Sequence, residues 1–60
     1  MIRILLNNIS EEEATELENF LRVEDCDYDF DGEDTLMVYQ EDLLLVSEYL
    51  EDNCIDYQVI

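Results

Sequence analysis

Asp25-Cys26-Asp27-Tyr28-Asp29-Phe30-Asp31-Gly32 is the stretch from which the fold can be read. Cys26, Tyr28 and Phe30 alternate with four aspartates, and a period of two belongs to a strand with one buried and one solvated face. The closing Asp31-Gly32 pair suits the positive φ of a tight reversal, so Thr35 to Tyr39 is expected to return antiparallel as a hairpin partner. In that returning strand Leu36 and Val38 share one face; Thr35, Met37 and Tyr39 share the other.

Upstream of this hairpin, Ile2-Arg3-Ile4-Leu5-Leu6 reads as a strand bounded by Asn7-Asn8, with Ile2, Ile4 and Leu6 on one face. Ser10 followed by Glu13 forms a capping box, Ile9 with Ala14 suits a hydrophobic staple, and a helix starts at Ser10. Ala14, Leu17, Phe20 and Leu21 fall on one stripe of that helix, while Glu11, Glu12, Glu16 and Glu18 fill the rest. The glutamates of its first turn suit the positive end of the helix dipole.

Downstream, Glu41 to Asp52 reads as a second helix with Leu43, Leu44, Val46, Tyr49 and Leu50 inward and Asn53 as a left-handed terminator. Cys54 to Ile60 reads as a last strand, in which Ile55, Tyr57 and Val59 alternate with Cys54, Asp56, Gln58 and Ile60. The order is β-α-β-β-α-β, an α+β ferredoxin-like arrangement: a four-stranded antiparallel sheet with two helices on one face, residues 1–60 forming a single acidic domain. Strands one and three are expected at the centre. An internal echo at an offset of about 29 residues supports this order: Phe20-Leu21 matches Tyr49-Leu50, Asp27-Tyr28 matches Asp56-Tyr57, and Phe30 matches Val59.

Composition bounds what such a domain can do. A chain of 60 residues buries only about 60% of the surface its unfolded form exposes, and a net charge of −16 from eighteen acids against Arg3 and Arg22 opposes compaction further. With 48% hydrophobic residues, no proline and one glycine, the chain is nevertheless expected to fold rather than stay disordered. No apolar run approaches the ~20 residues of a membrane span, and the segment after Met1 is too short for a signal peptide, so a cytoplasmic protein is expected. Cys26 and Cys54 lack CxxC spacing and there is no histidine, so both are read as buried small hydrophobes rather than zinc ligands or a redox pair.

With the helices on one face of the sheet, the opposite face carries Arg3, Leu5, Met37 and Tyr39 at its centre, Asp27 and Asp29 along one edge, and Asp56, Gln58 and Ile60 along the other. An apolar strip rimmed by carboxylates has the make-up of a binding interface. Asp25, Asp27, Asp29 and Asp31 would project from one strand at about 6.6 Å intervals. The expected partner-binding set is Asp25, Asp27, Asp29, Asp31, Glu33, Asp34 and Asp56 as the display, with Leu5, Met37 and Tyr39 as the anchor. Further acids cover both helices: Glu11, Glu12, Glu16 and Glu18, then Glu41, Asp42, Glu48, Glu51 and Asp52.

Size scaling gives a diameter of roughly 27 Å, and duplex DNA of that length carries about 16 phosphate charges. The expected function is therefore that of a small acidic inhibitor occupying the basic, nucleic-acid-binding surface of a host protein or nuclease complex as a DNA mimic. In kind, though in no motif, the chain resembles the short acidic proteins that bacteriophages and mobile elements encode against host nucleases, repair enzymes and defence complexes.

Other classes of function are weighed beside this one. A homodimeric structural or regulatory adaptor would bury Leu5, Met37 and Tyr39 across a twofold axis, against the repulsion of two anions. Asp27-x-Asp29-x-Asp31-Gly32 copies the opening of a calcium loop, but position twelve is Val38 rather than a bidentate glutamate, leaving weak binding at the Asp31-Gly32-Glu33-Asp34 turn. Direct nucleic-acid binding is opposed by the charge. With no His, no Lys and no phosphate-binding loop, no catalytic residue, metal site or cofactor is expected.

Overall fold

A computed structural model describes residues 1–60, and the elements follow the expected order. They are β1 (Ile2–Asn7), α1 (Glu11–Val23), β2 (Tyr28–Phe30), β3 (Thr35–Val38), a single 3-10 turn (Gln40–Asp42), α2 (Leu43–Asp52) and β4 (Asp56–Val59). The strands form one antiparallel sheet in the order β2-β3-β1-β4. This is the α+β, ferredoxin-like βαββαβ fold.

Helix α1 begins where its first residues require. Ser10 Oγ accepts the Glu13 backbone N–H at 3.1 Å and Glu13 Oε1 accepts the Ser10 backbone N–H at 3.1 Å, so two of the otherwise unpaired donors of the first turn are satisfied. Glu11, Glu12 and Glu13 place negative charge at the positive end of the dipole.

Both helices stop in the same way. After α1 the Cys26 N–H donates to the Leu21 carbonyl at 2.9 Å and the Asp25 N–H to the Arg22 carbonyl at 3.1 Å. After α2 the Ile55 N–H donates to Leu50 at 2.9 Å and the Cys54 N–H to Glu51 at 3.1 Å. Each pair is a Schellman closure, which needs a left-handed residue just past the cap. Asp25 and Cys54 supply it, both at φ 56°. The 29-residue echo of the sequence thus extends to the backbone of the two helix ends.

The core lies between the helices and one face of the sheet. Ile4, Leu36 and Val38 from the sheet and Leu17, Leu21, Val46 and Leu50 from the helices are fully buried, with Leu6 nearly so. Removing each such side chain from water is worth about 1.5–3 kcal/mol. Cys26 and Ile55, which follow the two left-handed residues, close the ends of this core against Leu21 and Leu50.

Several expectations about the elements need correction. Leu44 is 71% exposed rather than inward, because at 3.6 residues per turn it falls on the side of α2 opposite the buried Val46 and Leu50. The second terminator is Cys54, not Asn53, whose φ is −97°. Cys54 is consequently exposed rather than a buried hydrophobe, while Cys26 is buried as expected. The last strand is Asp56–Val59, since Cys54 and Ile55 belong to the helix closure.

Candidate functional site

Strand register arranges the open face into rows. Met37 lies opposite Asp29 on one side and Arg3 on the other, and the Ile60 N–H donates to the Arg3 carbonyl at 3.0 Å, so one row runs Asp29, Met37, Arg3, Ile60. Leu5 lies opposite Thr35 and Gln58, and the Asp31 N–H donates to Thr35 at 2.9 Å, so the next row runs Asp31, Thr35, Leu5, Gln58. Asp56 follows beside Asn7. The centre carries Met37, Thr35 and Leu5 together with the cationic Arg3, and carboxylates stand at both edges.

The aspartate array is shorter than its alternation suggested. Only Asp29 of the four lies within β2, which spans Tyr28–Phe30. Asp25 is the left-handed residue closing α1, Asp27 precedes the strand, and Asp31 opens the turn into β3. Evenly spaced projection of Asp25, Asp27, Asp29 and Asp31 is therefore not what the backbone provides. Cys26 is buried because the residue after a Schellman closure packs back on the helix, a placement that imitates strand alternation in sequence.

Arg3 has a role that periodicity does not reveal. Its guanidinium donates to Asp31 Oδ2 at 2.7 Å, reaching diagonally over β3 from the centre of the sheet to its edge. On the intervening strand β3, Thr35 is the one buried polar residue, 9% exposed with its hydroxyl donating to Asp34 Oδ1 at 3.3 Å. The only signal for the bridge in sequence was the lone cation on an otherwise acidic face.

Leu5 and Met37 are half-buried in this centre. Tyr39 falls beyond the end of β3 and precedes the 3-10 turn, 46% exposed, so it stands at the margin of the strip rather than within it. Glu33 and Asp34 are exposed in the β2–β3 turn, where Gly32 takes φ 86°. The structure thus gathers Asp29, Asp31, Glu33 and Asp34 at one end of the sheet and sets Asp56 on the far edge.

Both cations are already engaged. Arg22 donates to Glu18 one helical turn earlier and to the Tyr28 hydroxyl at 3.3 Å, and its pKa is raised by that hydroxyl first and by Glu18 after it. Of the eighteen acidic side chains, two are paired, and the other sixteen have no cationic partner. They surround a body of 25 × 24 × 20 Å with a radius of gyration of 10.1 Å.

Two neutral groups feel this field. Burial pushes the Cys26 thiol up, with Asp42, Glu24, Asp25 and Asp27 adding to it. Burial likewise raises the Tyr49 phenol, with Glu16 and Glu13 contributing. No three acid or thiol groups converge closely enough to hold a metal ion, and the Asp31 carboxylate in the turn is occupied by Arg3. An open groove of about 310 Å³ lies between the start of α1 and the β2–β3 turn, lined by Ile9, Ala14 and Phe30 together with Glu11, Glu18 and Glu33.

Comparison with protein-family models, with curated proteins and with solved structures finds no match to this chain. No helix is long and apolar enough to cross a membrane.

Proposed function

We propose that this protein is a small acidic inhibitor of the phage or mobile-element kind, which occupies the basic, nucleic-acid-binding surface of a host protein in the cytoplasm as a DNA mimic. The observation that carries this reading is the excess of unpaired carboxylates on so small a folded body. A duplex 25 Å long carries about 15 phosphates at one per ~1.7 Å, and the chain offers a net charge of −16 over an extent of 25 Å. A cleft that binds DNA meets a similar charge in a similar length.

Binding by this mechanism is competitive and non-catalytic. Complementary potentials speed the encounter, and the counterions released from both surfaces favour the complex. Asp29, Glu33, Asp34 and Asp56 supply carboxylates held at the sheet edges and turn, and half-buried Leu5 and Met37 with exposed Tyr39 supply the apolar contact between them. Asp31 contributes less charge than its neighbours because Arg3 neutralises it.

Affinity capture from the source cell tests the reading. The native chain and an Asp29→Lys/Glu33→Lys/Asp56→Lys variant are immobilised side by side and washed at stepped salt. The native chain is expected to retain a basic protein that the variant releases. Equal retention by both, or none by either, contradicts the proposal.

A further inference from the structure

The two edges of the sheet are not equivalent. In β2 the Asp31 N–H points to β3, so by alternation the Phe30 N–H points outward, and there it is capped by the Asp29 carboxylate, which accepts it at 2.9 Å. That edge carries its own block against pairing. In β4 the Ile60 N–H points to β1, so the backbone groups of Tyr57 and Val59 face away from the sheet. No side chain caps them.

We infer that the β4 edge receives an extended basic segment of the partner as a fifth strand, an inference that rests on the basic-partner reading of the open face. Main-chain bonds to Tyr57 and Val59 would hold the segment, as in other strand additions. Its alternate side chains fall on two different surfaces. Those on the open side lie beside Asp56 and Gln58; those on the helix side lie against Tyr57 and Val59, the latter 46% exposed. A sequence alternating basic with apolar residues matches both. Charge decides against a second copy as the occupant, since pairing two β4 edges would bring together two bodies of charge −16.

The test uses the intact chain, labelled with nitrogen-15, and two synthetic peptides of about eight residues alternating Lys and Val. One is unmodified; the other carries methyl groups on two adjacent central backbone nitrogens, which blocks both of its edges without changing its charge. The unmodified peptide is expected to slow hydrogen exchange at the Tyr57 and Val59 amides, to leave the Phe30 amide unchanged, and to bind roughly tenfold more tightly than the methylated one. Equal binding of the two peptides, or protection elsewhere on the surface, overturns the strand addition while leaving the electrostatic reading in place. Failure of both peptides to bind overturns the two together. Protection of Tyr57 and Val59 that grows with protein concentration in the absence of peptide assigns the edge to a second copy and overturns the inference.

Discussion

Phe20 and Tyr49 stack with ring centroids 4.2 Å apart and planes inclined by 23°. The two residues are 29 positions apart and occupy the same place in α1 and α2, each one residue before the leucine whose carbonyl receives the Schellman bond. The pair therefore sits where the two halves of the fold meet, and it joins helices whose fully buried residues otherwise point at the sheet.

A double-mutant cycle measures that junction. Phe20→Leu and Tyr49→Leu are each expected to destabilise the fold, and the coupling between them should be about 0.5–1.5 kcal/mol by denaturant unfolding. Additive losses would show that the stack contributes area and nothing specific to the pair.

The matched helix ends lead to a second expectation. A non-glycine residue in the left-handed region costs roughly 1–2 kcal/mol, and Asp25 and Cys54 both sit at φ 56°. Cys54→Gly should raise the melting temperature by about 4–8 °C if about 1 kcal/mol of that strain is relieved. Asp25→Gly should do so as well, with a further gain from removing one negative charge. A fall in melting temperature for both variants would contradict the assignment of these positions.

Self-repulsion predicts an unusual salt response. The Debye length is about 30 Å at 0.01 M salt and about 8 Å at 0.15 M, so the first spans the whole 25 Å body and the second does not. Raising sodium chloride across this range should increase the melting temperature by about 5 °C or more, which corresponds to about 1 kcal/mol for a domain of this size. A melting temperature that stays flat or falls would mean the carboxylates are neutralised in some other way.

Alkaline pH acts in the opposite sense. The folded state holds the Cys26 thiol neutral above its ordinary pKa of 9.0, so its contribution is fully present below that value and is lost as pH rises from there through the raised folded-state pKa. Tyr49 adds the same dependence from 10.0 upward. Stability should therefore decline above about pH 9, and Cys26→Ala should lessen the first part of the decline. In the native state an uncharged maleimide should label exposed Cys54 and spare Cys26; equal labelling would place Cys26 at the surface.

Much of the fold was legible because local signals agreed with one another. The Ser10–Glu13 capping box, the change of period after α1 and the Asp-Gly turn each marked a boundary that the structure keeps, and the central Arg3, Leu5 and Met37 fall on the open face as their alternation implied. The candidate site was harder to read. Alternation over Asp25 to Asp31 combined two causes, a helix closure that buries Cys26 and a three-residue strand that half-buries Tyr28 and Phe30. Applying the repeat to the helix ends would have separated them, since Asp25 and Cys26 correspond to Cys54 and Ile55. The Arg3–Asp31 bridge and the capped Phe30 amide left no periodic trace, because each depends on where one side chain reaches in space.

In the proposed function the unpaired carboxylates take the place of nucleic-acid phosphates on a basic partner. Displacement of fluorescent duplex DNA from the captured partner, followed by anisotropy at salt concentrations from about 50 to 200 mM, tests it most directly. The chain is expected to displace the duplex, with an apparent affinity that falls steeply and linearly on a log–log plot against salt, and the Asp29→Lys/Glu33→Lys/Asp56→Lys variant is expected to displace far less. A partner that holds DNA and this protein together, or an affinity indifferent to salt, would contradict the proposal.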